Sequence, residues 1–82
     1  MVTHRSDIAR WLEEGLEKKA THVIVVCDTF DYEDYPVYIL PGQNVKDEIN
    51  RISRQQMTRI MEVYNLSMDL NAQMSQRRAY NV

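Results

Sequence analysis

The sequence predicts a small α+β domain in which helices pack on a three-stranded antiparallel sheet. Residues 8–16 carry apolar side chains at helical spacing, and residues 22–27 form a short β-branched run. The later apolar segments are separated by turn residues. The predicted order of elements is therefore α-β-β-α-β-α. Because the chain has no repeat, low-complexity tract or linker, we expect a single domain over residues 1–82.

The first predicted helix covers residues 7–19, where the side chains of one face are apolar: Ile8, Trp11, Leu12 and Leu16. Ser6 is the expected N-cap, and Asp7 falls in the first turn, where the helix dipole favours a negative charge. Gly15 lies on the apolar side of this helix. We expect another part of the chain to approach the helix closely there.

Residues 22–27 and 35–40 are predicted to form a β-hairpin. Pairing Phe30 with Tyr35 would leave a four-residue loop at residues 31–34 and place Val26 opposite Ile39. Since proline cannot donate to a central ladder, Pro36 indicates an edge strand or the start of a strand.

The second half of the chain is predicted to contain a helix, a strand and a terminal helix. Asn44 follows the turn residues Pro41 and Gly42 and is the expected N-cap of a helix over residues 45–55. Residues 57–64 fit either a helix or a strand, but alternation continues through residue 70, so a strand over residues 59–70 is favoured. A short helix over residues 71–80 completes the order, with Asp69 or Asn71 near its cap.

The strand at residues 22–27 is apolar at consecutive positions, so both of its faces need cover. A domain of 82 residues buries only a little over ~60% of its unfolded surface. We therefore expect a homodimer or larger assembly, in which a second subunit covers one face or an edge of the sheet.

One cysteine, Cys27, excludes an intrachain disulfide and a thiolate zinc cluster. The N-terminal residues lack the apolar stretch of a signal peptide, and no window approaches the length of a membrane span. We expect a soluble protein in the cytoplasm.

Charge is distributed unevenly between the halves of the chain, although the net charge is only −2. Residues 1–42 carry four basic and eight acidic side chains, whereas residues 43–82 carry six basic and four acidic ones. The acidic balance argues against nucleic acid as a partner, because a polyanion is usually bound by a basic surface.

The basic half is rich in arginine, whose planar guanidinium suits phosphate and carboxylate groups. Arginines near tyrosines can hold an anionic, ring-bearing ligand through forked hydrogen bonds and stacking. The candidate ligand-binding residues are Arg51, Arg54, Arg77, Arg78, Tyr64 and Tyr80. The same residue types are also frequent in protein interfaces and on solvated helix faces.

The acidic stretch at residues 28–34 is best explained as a hairpin tip, since its spacing matches no EF-hand or other recognised metal loop. An enzyme would need Asp28 with Asp31, or Cys27 with His22 or His4, in a cleft. No nucleophile elbow or phosphate-binding glycine loop accompanies these residues. We expect no catalytic residue, metal or cofactor.

Residues 9–43, from ARWLEEG to YILPGQ, and residues 61–80, MEVYNLSMDLNAQMSQRRAY, resemble small uncharacterised proteins of bacteriophages and bacterial mobile elements. The resemblance implies a non-catalytic accessory protein that acts by stoichiometric binding, as counter-defence proteins do. The leading hypothesis is capture of an anionic, nucleotide-like ligand between subunits. A protein–protein inhibitor or adaptor acting on a host protein and a small carboxylate-dependent enzyme are the alternatives.

Overall fold

The computed structural model describes residues 5–82 and confirms the α+β fold and the predicted order of elements. The bounds are α1 (Arg5–Glu17), β1 (His22–Asp28), β2 (Glu33–Ile39), α2 (Val45–Ser53), β3 (Thr58–Asn65) and α3 (Leu70–Met74). The strands form one antiparallel sheet in the order β2-β1-β3. The first strand of the chain is therefore the central strand of the sheet.

The two faces of β1 belong to two separate apolar clusters. Val23 and Val25 are buried in a cluster with Trp11 and Leu12 of α1. The alternate residues, Ile24 and Val26, are buried in a second cluster with Ile49 and Ile52 of α2. Helices of the same chain thus cover both faces of the strand, and neither face needs a second subunit. Assembly into a homo-oligomer stays a prediction.

The hairpin register differs from the predicted one by four residues. Val26 lies opposite Tyr35, whereas Ile39 lies opposite His22. Because the difference is even, every side chain keeps its predicted face. The loop covers residues 29–32 rather than 31–34, and Asp28 closes it by accepting hydrogen bonds from the backbone N–H of Phe30 (2.8 Å) and, through its carbonyl, of Tyr32 (2.6 Å). Pro36 lies on an edge strand, as expected.

The helix ends are set by local hydrogen bonds. Helix α1 ends before the predicted residue 19, because the N–H groups of Lys19 and Ala20 turn back to the carbonyls of Leu16 and Gly15 (3.0 and 2.9 Å), with Lys19 at a φ of 58°. Ser6 lies inside α1, so the prediction that it caps this helix is wrong.

Asn44 is the N-cap of α2, and its side chain accepts from the N–H groups of Lys46 and Asp47 at 2.9 and 3.2 Å. This confirms the predicted cap. The helix ends at Ser53 instead of residue 55.

Strand β3 ends at Asn65, five residues before the end predicted from alternation. The Asn65 side chain accepts from the backbone N–H of Ser67 at 3.0 Å and so closes a turn. Beyond it, Leu66 and Leu70 pack on the α1 cluster from a turn and a helix, not from a strand. Asp69 caps α3 by accepting from the N–H of Ala72 at 3.2 Å.

The C-terminal residues form a strand-like segment where a longer helix was predicted. Helix α3 has only five residues, and Tyr80 then forms a parallel bridge with Val63. The Val63 N–H donates to the Ala79 carbonyl, and the Asn81 N–H donates to the Val63 carbonyl, both at 3.0 Å. The segment therefore covers part of the outer edge of β3.

The side chain of Gln73 covers the next part of the same edge. Gln73 is buried, its Oε1 accepts from the Asn65 N–H, and its Nε2 donates to the Asn65 carbonyl, each at 2.8 Å. The amide group thus acts in place of a neighbouring strand, because it satisfies both backbone groups of Asn65.

Replacing Gln73 with Leu should lower the free energy of unfolding by roughly 1–3 kcal/mol, since two part-buried backbone groups of Asn65 would lose their partners. Urea unfolding monitored by the single tryptophan measures this. The matched change Gln56→Leu, at an exposed turn residue, should alter stability by less than about 0.5 kcal/mol. Equal effects of the two changes would contradict the proposed role of Gln73.

Gly15 provides the close approach expected from the sequence. A Cβ at this position would lie 2.8 Å from Val23 Cγ2 and 3.0 Å from Leu66 Cδ1. Gly15→Ala should therefore destabilise the protein by roughly 1–3 kcal/mol, although alanine is favoured over glycine in a helix by ~1 kcal/mol. The exposed change Glu13→Ala in the same helix serves as the control and should be nearly neutral. A Gly15→Ala protein as stable as wild type would show that Val23 and Leu66 can move aside.

Candidate ligand-binding groove

A groove runs between α2 and the C-terminal segment, on the sheet face that α2 covers. It consists of two pockets of about 270 and 310 Å³ that share Ile49 and Tyr80. We refer to it as the C-terminal groove and define it by its lining residues, which are Lys46, Ile49, Asn50, Ser53, Ile60, Met61, Arg78, Tyr80 and Val82.

The charged side chains that line the C-terminal groove are both cationic. Lys46 lies in the first turn of α2, and Arg78 lies in the segment after α3. Both are exposed, and the lining contains no acidic side chain. The contact of the Arg78 Nε with the Met61 carbonyl is long, at 3.5 Å, so its guanidinium remains available to an anion. The groove therefore combines positive charge with an apolar floor.

Tyr80 supplies an aromatic ring at the centre of the groove. Its neighbours Ala79 and Asn81 are fixed by backbone hydrogen bonds to Val63, and Ala79 is fully buried in the α1 cluster. Because side chains alternate along an extended segment, Tyr80 points to the opposite face, toward α2, and it stays 60% exposed. Hydrogen bonds of its two neighbours hold the Tyr80 backbone in place, and the surface of the ring is open to a ligand.

The structure brings only two of the six predicted ligand-binding residues to this groove, Arg78 and Tyr80. Arg51, Arg54 and Arg77 are exposed elsewhere, and Arg51 forms an ion pair with Glu48 at 2.8 Å. Tyr64 is buried in the α1 cluster, and its hydroxyl donates to Glu62 at 2.8 Å. The Tyr64 ring therefore packs in the core and does not line the groove.

Three polar residues of the groove were missed at the level of sequence: Lys46, Asn50 and Ser53. They lie beside Ile49 on one side of α2, at the four- and three-residue spacing that places side chains on one helix surface. This spacing was visible in the sequence. The sequence did not show that these residues line a groove, because the segment that completes the groove was predicted to be helical.

The acidic hairpin and the cysteine show structural roles. The Asp28 carboxylate caps the turn after β1 by accepting from the backbone N–H of Phe30 at 2.8 Å. Burial, followed by the hydrogen bond to Asp34, raises the pKa of the Cys27 thiol and so favours its unreactive form. Within residues 5–82, no three His, Cys, Asp or Glu side chains are grouped so that they could hold a metal ion. His4 lies outside the described residues.

A third pocket, of about 330 Å³, lies at the opposite end of the sheet from the hairpin loop and includes His22 and Lys19. The Thr21 hydroxyl donates to the Ile39 carbonyl at 3.2 Å, so its oxygen accepts from His22 Nδ1 at 2.9 Å. The Nδ1–H tautomer leaves His22 Nε2 as a buried acceptor that has no hydrogen-bond partner among residues 5–82. With one lysine, and with the part-buried imidazole of His22 in place of an exposed tyrosine ring, this pocket suits an anionic ring-bearing ligand less well than the C-terminal groove.

The burial of His22 predicts acid sensitivity. Burial lowers the pKa of His22 from its ordinary 6.5, so the unfolded chain binds a proton more readily than the folded chain. The contribution of His22 to stability is therefore complete above about pH 6.5 and is lost as the pH falls through the folded-state pKa. As the pH is lowered from about 7.5 to about 5.5, wild type should lose more stability than His22→Gln does.

Urea unfolding of both proteins at several pH values measures this difference in stability. The contributions of the other titrating groups cancel in the difference, because both proteins carry those groups. A difference that does not vary with pH would show that protonation of His22 does not affect folding.

Comparison with protein-family models, with curated proteins and with solved structures finds no match to the chain. Across residues 5–82, no helix is long and apolar enough to span a membrane.

Proposed function

We propose that this chain is a non-catalytic binding protein that captures an anionic, nucleotide-like ligand in the C-terminal groove. The observation that carries this proposal is the combination of Lys46, Arg78 and the exposed Tyr80 ring in one groove without an acidic side chain. Cations and an aromatic surface are the two components that recognise a phosphate and a base.

Each component has a distinct role in binding. Arg78 can donate two parallel hydrogen bonds to phosphate oxygens, whereas Lys46 acts as a compact charge. Tyr80 offers a ring face on which a base can stack, and stacking on an aromatic side chain contributes roughly 1–3 kcal/mol per base. Asn50 and Ser53 provide hydrogen-bonding groups for the polar edge of a ring or for a sugar.

The size of the groove favours a small ligand. Pockets of about 270 and 310 Å³ that share two residues approach the lower end of the usual range for small-molecule sites, roughly 300–1,000 Å³. A mononucleotide could place its phosphate near Arg78 and its base on Tyr80.

Stoichiometric capture without catalysis suits an accessory protein of phage or mobile-element type that acts in the cytoplasm of a bacterial host, in counter-defence. The resemblance of residues 9–43 and 61–80 to such proteins supports this context. The roles of Asp28 in capping a turn and of Cys27 as a buried thiol favour binding over an enzymatic function.

Nucleotides should raise the melting temperature of the wild-type protein. A ligand at about 100 times its Kd adds ~2.7 kcal/mol to stability, which corresponds to a rise of ~10 °C or more in a domain of this size. The screen should include adenine and guanine nucleoside mono-, di- and triphosphates and cyclic nucleotides, and it should be read by differential scanning fluorimetry.

Two variants test the site. Arg78→Gln should remove most of the rise, whereas the matched change Arg77→Gln, at an exposed arginine outside the groove, should retain it. Tyr80→Ser should weaken binding of nucleotides more than binding of inorganic phosphate, because the phosphate has no base to stack. If no nucleotide shifts the wild-type transition, or if both arginine variants behave alike, the proposed site is wrong.

A further inference from the structure

The tip of the β1–β2 hairpin, residues 29–32, presents two large aromatic side chains to solvent. Phe30 is 70% exposed and Tyr32 is 65% exposed. Aromatic side chains can bury about 150–250 Å² each in a contact, so their grouping at a projecting loop indicates a binding surface. Asp31 in the tip and Glu33, the residue directly after it, are also exposed and give this end of the hairpin a negative charge.

The backbone of the tip is strained at one of these aromatic residues. Tyr32 has a φ of 57°, in the left-handed region, where a glycine would meet no steric opposition. A side chain in this conformation costs roughly 1–2 kcal/mol. The hairpin thus holds an exposed tyrosine where the turn alone would favour glycine, and such local strain is typical of functional loops.

The C-terminal groove is complementary to this tip in both charge and size. Lys46 and Arg78 flank the apolar residues Ile49 and Ile60, and the lining carries no acidic side chain. Its two surface pockets, of about 270 and 310 Å³, each have a larger volume than the cavity of about 150 Å³ that holds benzene. The acidic tip belongs to the negative half of the chain and the groove to the positive half.

We propose that the hairpin tip of one copy of this protein docks into the C-terminal groove of a second copy. Phe30 or Tyr32 would enter the groove, and Asp31 and Glu33 would lie beside Lys46 and Arg78. The contact joins two different surfaces, so each copy keeps one free tip and one free groove, and the assembly grows as a closed ring or an open chain. This inference goes beyond the proposed function, because its occupant is protein and it requires no nucleotide.

The association is weak and sensitive to salt. A contact made by one loop tip falls below the ~1,200 Å² that a stable interface buries, so it belongs to the class of transient complexes. Its charged groups lie at the rim, where salt screens them. Sedimentation velocity from about 10 μM to about 1 mM protein covers the affinity expected of such a contact. Raising salt from about 10 mM to about 1 M should shift wild type toward monomer.

Charge reversal on each surface identifies the contact. The tip variant, Asp31→Lys with Glu33→Lys, and the groove variant, Lys46→Glu with Arg78→Glu, should each remain monomeric where wild type associates. An equimolar mixture of the two should associate again, because the acidic tip of the groove variant fits the unchanged groove of the tip variant. A tip-to-tip contact would instead leave the groove variant associated by itself, and a groove-to-groove contact would leave the tip variant associated.

Matched variants control for net charge. Glu13→Lys with Glu17→Lys makes the same charge change as the tip variant at exposed positions of α1, and Arg54→Glu with Arg77→Glu matches the groove variant. Both controls should associate as wild type does. Removing both tip rings with Phe30→Ser and Tyr32→Ser should abolish association, whereas Met68→Ser, at another exposed apolar residue, should not.

A wild-type monomer throughout the concentration range, or a mixture that fails to associate, would overturn the proposal. The tip variant retains an intact groove, so its nucleotide-induced melting shift tests the proposed ligand site independently of self-association.

Discussion

The burial of β1 on both faces is the constraint on which the rest of the structure depends. A seven-residue strand with five buried positions can lie only in the middle of a sheet that has a layer on each side. The chain meets this requirement with α1 on one face and α2 on the other, and with β2 and β3 as flanking strands. Two apolar clusters, one on each face of the sheet, thus form the core of a very small domain.

The cover of the outer edge of β3 also forms one side of the C-terminal groove. The outer edge of β3 is paired by Gln73 and by residues 79–81, so its backbone groups at Val63 and Asn65 are satisfied within the chain. The same segment carries Arg78 and Tyr80 to the side of α2. A structural requirement, the cover of an exposed edge, therefore also positions the side chains proposed to bind a ligand.

The uneven charge of the chain becomes a spatial separation in the fold. Acidic side chains at residues 31 and 33 project with two exposed aromatic rings at the hairpin tip, whereas Lys46 and Arg78 line the C-terminal groove. Opposite charges at two distinct surfaces favour head-to-tail contact between copies. The groove therefore has two proposed occupants, an anionic ligand and the acidic tip of another copy. The two occupants would compete, so a ligand that fills the groove would also oppose assembly.

The sequence by itself determined the α+β fold, the order of six elements and the cap of α2, because these depend on local periodicity and on hydrogen bonds between near neighbours. It also indicated Arg78 and Tyr80 as candidate ligand-binding residues. The tertiary structure decided the hairpin register, which depends on how Asp28 closes its turn, and the end of β3, where Asn65 closes another. It alone placed Tyr64 in the core and added Lys46 to the candidate site. Residues 79–81 are extended because the edge of β3 offers them backbone partners, and no local pattern in the sequence contains those long-range hydrogen bonds.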